Sequence, residues 1–449
     1  MSDKNNYPFI VRLLKKYVIF TFKRFYSEYI VVGRENIPTD CPVILAPTHL
    51  NALMDALAVH SIAPENQTVT FLARSDIFKN KIVAWFLTGI KIMPAFRMRD
   101  GMENLGKNND IFERCVEVLH NNNAIGIMPE GNQGEQRKLR PFTKGIFRIA
   151  FAAQQKYGSQ SGVKIVPIGV DFGDFKKFRK HIIINIGKPI EVSEYMFSYK
   201  ENPVTATNEI RDRLRSDLSK ISVDLASKNH YECFETATEI ANTAFVENLN
   251  PQNQTFARFQ ARQKIAEKLV LMEKNEPQKI EELESLCNNY TAGLKKINLR
   301  TRTLEQSPTK TITFLINGLL LSATLPVFIY GFILNFLPFF APVFIRKYLL
   351  KVQYEGFFSS IQYGLGIFIF PIFYLFQTVI LANVLSTAWW ILILFFFSQY
   401  VVGEWALIWY RAFKKYIAQI RLQNLLRKNS SELEETQTLR KKIIQLIKY

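Results

Sequence analysis

One stretch of this 449-residue chain is almost free of charge. From Thr311 to Trp409 the charged side chains are Arg346, Lys347, Lys351, Glu355 and Glu404, although 21% of the whole chain is charged. Apolar runs of about 20 residues are long enough to cross the hydrocarbon core of a bilayer as a helix. The sequence therefore excludes a simple water-soluble globule, and it predicts a membrane domain over residues 311–409.

Two parts of this membrane domain differ in pattern. Residues 312–345 carry no charged side chain, but Pro326, Pro338 and Pro342 interrupt them. Residues 357–409 carry Glu404 as their only charged side chain and are long enough for two spans. The loop between them is basic, and basic loops tend to stay on the cytoplasmic side. We therefore predict a re-entrant hairpin over residues 312–345, followed by two spans over residues 357–409.

The net charge of +18 is concentrated near the two ends of the chain. Residues 1–28 predict an amphipathic helix that lies flat in the headgroup layer or packs on the next domain, and the sequence leaves both open. Residues 410–449 predict a basic cytoplasmic tail. Such basic segments attract anionic lipid headgroups. Nucleic-acid binding would leave the apolar block unexplained, so the predicted partner is an anionic bilayer and not nucleic acid.

Residues 29–229 alternate between short β-rich runs and helix-like stretches. The runs YIVVG, PVILAP, TVTFLAR, AIGIMP, KIVPIGVDF and HIIINIG predict strands. Strands that alternate with helices predict an α/β fold, with a mixed, largely parallel sheet flanked by helices. Residues 230–310 are polar and predict a helical region between this domain and the membrane domain. The four cysteines form no CxxC pair, which predicts free thiols and no metal site.

His49 follows the apolar run PVILAPT, and Asp55 lies six positions later. A histidine at a strand end can act as a general base when a carboxylate holds its other ring nitrogen. Residues i and i+6 do not share a helix face, since six steps of about 100° leave them about 240° apart. The two can meet only if His49 lies in the loop before a helix that contains Asp55. By itself, the motif is weak and favours a capping or packing histidine over a catalytic one.

Two further groups of residues suggest anion binding. The loop Pro129-Glu130-Gly131 follows a predicted strand, and Lys144 lies at the start of the next predicted helix. Backbone amides and nearby cations are how proteins hold phosphate. Arg97 and Arg99 follow another short apolar run, and guanidinium groups match phosphate or carboxylate. Solvated surface charges would give the same pattern, so neither group is decisive alone.

The order of these elements is more specific than any one of them. His49…Asp55, Pro94…Arg97, Pro129-Glu130-Gly131 and Val166-Pro167-Ile168 follow one another in a way that resembles the glycerolipid acyltransferases, which act on glycerol-3-phosphate and on 1-acylglycerol-3-phosphate. The resemblance covers about residues 29–225. It implies that His49 and Asp55 are catalytic. It also implies that the residues binding the acceptor are Arg97, Lys144, Glu130, Gly131 and, as a further candidate, Arg99.

Two departures from the family pattern are visible. The family usually has four residues between the histidine and the aspartate, and this chain has five; the loop after Glu130-Gly131 lacks the usual arginine. Arg137 or Lys144 are candidates to replace that arginine. With the C-terminal apolar spans, these features are similar to the fungal-type branch that acylates glycerol-3-phosphate or dihydroxyacetone phosphate.

The resemblance implies transfer of a fatty acyl group from acyl-CoA or acyl-carrier protein to a glycerol phosphate hydroxyl, without a metal or redox cofactor. The expected location is a bacterial inner membrane or the endoplasmic reticulum, with the active site facing the cytoplasm. Three alternatives stay open: a lysophosphatidate acyltransferase, acyl transfer to another lysophospholipid or to a non-phosphate acceptor, and a non-catalytic membrane lipid-binding scaffold.

Overall fold

The computed structural model describes residues 9–64, 67–79, 81, 84, 87–88, 91–95, 107–157, 162–246, 253–305, 309–385 and 388–448. The described chain divides into two compact units. The first contains the residues up to Asp224 together with the short segment Tyr354–Ser360, and the second contains Leu225–Gln353 and the residues from Ile361 onwards. His49, Asp55, Glu130 and Asp171 all lie in the first unit.

An eight-stranded sheet, counted over the described residues, organises the first unit. Its strands are β1 (Glu28–Val32), β2 (Val43–Pro47), β3 (Val69–Arg74), β4 (Ile92–Ala95), β5 (Ala124–Gly126), β6 (Lys164–Phe172), β7 (His181–Ile186) and β8 (Ile190–Glu191). Their order is β1-β7-β6-β2-β5-β3-β4, and β8 pairs with β6. Only β7 and β8 run antiparallel to their neighbour β6. The predicted mixed, largely parallel sheet is confirmed.

The centre of the sheet places three strand ends side by side. All five residues of β2 are buried, as expected for a strand covered on both faces. Leu45 of β2 is in register with Gly126 of β5 and with Val166 of β6. Because these three strands are parallel, the loops that follow them leave the sheet at the same edge. His49, Glu130 and Asp171 are therefore brought to one edge of the sheet.

Helices flank this sheet. They are α1 (Phe9–Phe25), α2 (Ala52–Ile62), α3 (Lys107–His120), α4 (Gly145–Tyr157), α5 (Met196–Glu201) and α6 (Pro203–Ile221). One core cluster joins α3, α4 and α6 to the strands through Leu119, Phe147, Phe151 and Leu214, all fully buried. In α1, Phe22 and Phe25 are buried, but Leu13 and Phe20 are more than half exposed. Helix α1 thus packs through its C-terminal end and also presents apolar side chains outward.

The second unit is helical in the described residues. It contains α7 (Tyr231–Val246), α8 (Gln254–Asn275), α9 (Pro277–Ile297), α10 (Thr301–Leu304), α11 (Thr311–Ala323), α12 (Leu325–Phe344), most of α13 (Phe358–Val384), α14 (Trp389–Arg427) and α15 (Ser431–Lys448). Helix α15 packs against α9 and α7 and buries Leu433, Ile443 and Ile447. Residues 410–449, expected from the sequence as a tail, are thus the second half of α14 and a bundle helix, because α15 has an apolar stripe.

Three helices in the described part of the chain are long and apolar enough to cross a membrane. They cover Leu325–Leu349, Glu355–Val384 and Trp389–Arg427. Helix α11, at 13 residues, is shorter. A break at Thr324 separates α11 from α12, inside the region predicted as a re-entrant hairpin. The number of crossings, like the hairpin, stays a prediction.

Candidate active site

His49 and Asp55 meet across the loop between β2 and α2. Because β2 ends at Pro47 and α2 begins at Ala52, His49 lies in the loop and Asp55 in the first helical turn. His49 Nδ1 is 3.0 Å from Asp55 Oδ2. The Asp55 side chain is fully buried, whereas that of His49 is 16% exposed. The five-residue spacing therefore brings the pair together in the way that the sequence required.

Asp55 also organises the backbone around the histidine. Its Oδ2 atom accepts hydrogen bonds from Leu50 N at 2.9 Å and from Asn51 N at 2.7 Å, in addition to its contact with His49. The tight loop places Ala52 at a φ of 41°, in the left-handed region. With Nδ1–H donating to the carboxylate, the tautomer inferred from this contact leaves Nε2 as the basic nitrogen of His49.

Glu130 supports the same loop from the end of β5. Its Oε1 atom accepts from His49 N at 3.1 Å, and its Oε2 atom accepts from Arg140 Nε at 2.8 Å. Burial raises the pKa of the Glu130 carboxyl above its ordinary value, while the Arg140 charge acts in the opposite direction. Both carboxylate oxygens thus contact protein groups, and a role for Glu130 in acceptor binding stays a prediction.

Arg140 links three parts of the site. Besides the Glu130 contact, its NH1 group donates to Gln133 O and its NH2 group lies 3.5 Å from His49 O. Gly134 N also donates to His49 O, at 3.0 Å. The basic run before α4 contains Arg140, but spacing alone could not separate its role from that of Arg137 or Lys144. The sequence therefore did not predict that Arg140 joins Glu130, Gln133 and His49.

The two candidates for the missing arginine occupy different environments. Arg137 is buried; its Nε atom is 3.4 Å from Asp171 Oδ1, and its NH2 group donates to Phe172 O at 2.6 Å. Lys144 is exposed and directly precedes α4. Lys144 is therefore the better placed of the two cations to receive a ligand from solvent.

Gly131 has a φ of 68°, in the left-handed region that favours glycine.

A cleft opens beside the histidine. It is small and partly open to solvent, and its lining includes His49, Glu130, Arg137, Lys138 and Asp171. Within the described residues, no group of histidine, cysteine or carboxylate side chains has the arrangement of a metal site. The four cysteines, all in the described ranges, are buried and free. The cleft thus combines an imidazole with two cationic and two carboxylate side chains, which are groups suited to acid–base chemistry.

Arg97 and Arg99 lie outside the described residues. Their predicted part in acceptor binding stays a prediction. Of the seven candidate site residues, the structure describes His49, Asp55, Glu130, Gly131 and Lys144. It brings the first three into direct contact through the His49 loop.

Comparison with known proteins agrees with this geometry. The family described as "Acyltransferase" matches residues 28–171. Glycerol-3-phosphate O-acyltransferase 1 of Saccharomyces cerevisiae is 24% identical over 310 residues, which is 65% of this chain and 40% of the yeast protein. A chloroplastic 1-acyl-sn-glycerol-3-phosphate acyltransferase of Brassica napus is 27% identical over 31% of this chain and 36% of its own length. The Bacillus subtilis 1-acyl-sn-glycerol-3-phosphate acyltransferase is 24% identical, over 42% of this chain and 88% of its own.

Among solved structures, the 1-acyl-sn-glycerophosphate acyltransferase PlsC from Thermotoga maritima aligns with a TM-score of 0.33 and 21% identity. The alignment covers 46% of this chain and 79% of that one. The chain spans about two fifths of the length of the first curated relatives it matches. The match at residues 28–171 contains His49, Asp55 and the Glu130 loop. Residues 28–171 thus match an acyltransferase domain, and the relatives that share it are named as glycerol-3-phosphate and 1-acylglycerol-3-phosphate acyltransferases.

Proposed function

We propose that the protein is a membrane-bound O-acyltransferase. It transfers a fatty acyl group from a thioester donor to a hydroxyl of glycerol-3-phosphate or dihydroxyacetone phosphate, a step of phospholipid biosynthesis. The observation that carries this proposal is the 3.0 Å contact between His49 Nδ1 and the buried Asp55 carboxylate at the edge of a cleft. Relatives named as glycerol-3-phosphate O-acyltransferases support the acceptor.

The proposed reaction assigns one proton to His49. Nε2 of His49 takes the proton of the acceptor hydroxyl as the hydroxyl oxygen attacks the thioester carbonyl. The tetrahedral intermediate then breaks its C–S bond, and the leaving thiolate takes the proton back from His49. Asp55 stabilises the imidazolium that forms in between. General-base assistance of this kind raises the reaction rate by about 10²–10⁴-fold. The products are an ester and a free thiol.

The proposed acceptor site uses cations near the cleft. Lys144, with Arg97 and Arg99 from the family resemblance, binds the phosphate, and the Glu130–Gly131 loop shapes the site around it. The acyl donor is acyl-CoA or acyl-carrier protein. Because a thioester already carries an activated acyl group, we propose that the reaction uses no metal or redox cofactor.

The proposed location is a membrane, as a multi-pass protein with its active site on the cytoplasmic side. The three long apolar helices support membrane association. Basic residues of α1 and of the second half of α14 are proposed to contact anionic headgroups, where such charges are attracted. The exposed Leu13 and Phe20 of α1 suit an interfacial position.

A second candidate function is acylation of lysophosphatidate. The match to 1-acyl-sn-glycerol-3-phosphate acyltransferases of plants and bacteria favours it specifically. The chemistry is the same, but the acceptor already carries one acyl chain. The two candidates differ in acceptor alone, so an acceptor assay separates them.

The test is an acyl-transfer assay on the full chain in detergent micelles and in liposomes. Acyl-CoA and acyl-carrier protein are each paired with glycerol-3-phosphate, dihydroxyacetone phosphate and lysophosphatidate. We expect product with the first two acceptors and none from the His49→Ala variant. Product from lysophosphatidate alone would select the second candidate. Full activity of His49→Ala, or no transfer with any pair, would overturn the enzyme proposal and favour a lipid-binding scaffold.

A further inference from the structure

A short segment from the membrane half of the sequence lies in the acyltransferase unit. Tyr354–Ser360 joins the first unit although the rest of that unit ends at Asp224. The segment contains the start of α13, one of the three helices long enough to cross a membrane. We refer to Tyr354–Ser360 as the docking segment.

The centre of the docking segment binds Asn51, which lies with His49 in the loop between β2 and α2; we refer to this loop as the catalytic loop. Ser360 Oγ donates to Asn51 O at 2.9 Å. Ser359 Oγ is 2.8 Å from Asn51 Oδ1 and 2.7 Å from Phe175 O, so its single proton can go to either acceptor. Asn51 Nδ2 donates in turn to Phe175 O at 3.3 Å. All three polar side chains are at most 5% exposed. Leaving a buried polar group without its hydrogen-bond partner destabilises the folded protein.

The N-terminal end of the docking segment contacts the loop that follows Glu130. Tyr354 OH donates to Gln133 O at 2.9 Å, and Glu355 N donates to a carboxylate oxygen of Glu135. An ion pair joins Glu355 to Lys176. A Cβ atom at Gly356 would lie 2.8 Å from the Gln133 amide nitrogen and 3.1 Å from Leu50 O, so this contact is close as well. The docking segment thus contacts the loops after β2, β5 and β6.

Asn51 connects these contacts to the catalytic pair. Its side chain and carbonyl are held by the docking segment, while its backbone N–H donates to Asp55 Oδ2 at 2.7 Å. The same Asp55 oxygen holds His49 Nδ1 at 3.0 Å. Displacement of the Asn51 peptide would therefore remove one of the donors that orient Asp55 toward His49.

We propose that Asn51 is a positioning residue for the His49–Asp55 pair, and that it is held in place by Ser359 and Ser360 of the docking segment. Acyl transfer then requires the start of α13 to be seated on the catalytic loop. This inference rests on the proposed acyltransferase function. Neither serine lines the cleft, so the docking segment affects the rate of the chemical step more than acceptor affinity.

The first experiment compares two serine pairs in the full chain, by steady-state acyl transfer with the acceptor found active. Ser359→Ala/Ser360→Ala is expected to lower kcat at least tenfold and to change the acceptor KM less than twofold. The control, Ser322→Ala/Ser398→Ala, removes hydroxyls whose hydrogen bonds, among the described residues, go to carbonyls of their own helices; it should keep kcat within twofold. The Ser359→Thr variant keeps the hydroxyl at this position. A kcat close to that of the wild type in Ser359→Thr would support loss of the hydrogen bond as the cause. Unchanged kcat in the double serine variant would overturn the inference.

A second pair of variants decides the question even if the buried serine variant fails to fold. Lys176 and Glu355 are each about two fifths exposed, so charge reversal there does not disturb the core. Glu355→Lys should lower kcat by a factor of about two to five, the range expected for an exposed ion pair. Adding Lys176→Glu should restore kcat to the wild-type value. No loss in the single variant, or no recovery in the double variant, would overturn the inference. Because the wild-type chain must be active for either comparison, failure of the proposed function is seen separately.

Discussion

At the scale of single residues, one carboxylate oxygen accepts the hydrogen bonds that hold the His49 loop in shape. Asp55 Oδ2 receives three donors, while Asp55 Oδ1 is buried and has no hydrogen-bond partner among the described residues. In Asp55→Asn, the loss of charge removes stabilisation of the imidazolium and disturbs the tautomer of His49. We expect kcat to fall by about 10³–10⁴-fold, as seen when similar pairs lose their charge. Steady-state assays check this; a fall of less than tenfold would contradict the role of Asp55.

Arg140 and Lys144 should respond differently to substitution. Arg140 contacts Glu130, Gln133 and His49, so Arg140→Lys should loosen the loop and lower kcat about tenfold, equivalent to about 1.4 kcal/mol. Lys144 is exposed and is proposed to bind phosphate, so Lys144→Ala should raise the acceptor KM about tenfold with a smaller change in kcat. Initial-rate kinetics over a range of acceptor concentrations separates the two. The reverse pattern would reassign the phosphate contact to Arg140.

His60 gives a test of stability against pH. Burial, with a smaller contribution from the Lys15 charge, lowers the pKa of His60 to about 4, and its ring contacts Phe71. Between about pH 6.5, where an unfolded histidine titrates, and pH 4, the unfolded chain binds more protons than the folded chain. Stability from this group is thus present above pH 6.5 and is lost as the pH falls, by up to about 2 kcal/mol at pH 5.

Replacement of His60 by leucine should remove this part of the pH dependence. Melting temperatures of wild type and His60→Leu, measured at pH 7.5 and pH 5, should show that the wild type loses more on acidification. Equal losses in the two proteins would contradict the depressed pKa of His60.

At the scale of elements, the loop after β5 depends on a left-handed glycine. A Cβ atom at Gly131 would lie 2.6 Å from Thr143 Cγ2, and the φ of 68° is itself unfavourable for other residues. Gly131→Ala should therefore destabilise the protein by about 1–3 kcal/mol. Thr143→Ser, which removes the Cγ2 methyl, should recover part of the loss but not the backbone strain. Melting temperatures of the single and double variants test both parts.

Most of the sheet could be predicted from the sequence, since its buried strands are short β-rich runs between turns. Two strands were not predicted. In β4 the run is four residues long and contains Pro94, which a strand tolerates at an edge; β8 has only two residues. The His49–Asp55 contact could be predicted because it is local. The docking of Ser359 could not, because a serine inside an apolar run carries no local signal of a partner some 300 positions away.

At the scale of the whole molecule, the docking segment constrains the membrane topology. Lys351 lies three residues before Tyr354, which contacts Gln133 of the acyltransferase unit. Because only two residues separate Lys351 from Tyr354, we predict that Lys351 and the catalytic loop lie on the same side of the membrane. In the described residues from 225 to 310 no helix is a candidate span. Residues 311–345 should then leave and return on one side, as in the predicted re-entrant hairpin, while α13 and α14 cross as a pair.

Cysteine labelling tests this arrangement. The four native cysteines are buried, so they give a low background for a membrane-impermeant maleimide. Lys351→Cys and Lys428→Cys should both react from the cytoplasmic face of sealed vesicles, and Val384→Cys, at the end of α13, should react from the opposite face. Labelling of Lys351→Cys from the side opposite to Lys428→Cys would exclude the hairpin.

The position of the docking segment in the chain has a consequence for biosynthesis. Ribosomes complete all the strands of the sheet well before they reach Ser359 and Ser360. A nascent acyltransferase domain therefore holds its histidine and aspartate without the support proposed for Asn51. The missing piece arrives only with the start of α13, once the hairpin region has been made. On this view, the proposed activity begins only after the start of α13 has been made, and not when the sheet alone is complete.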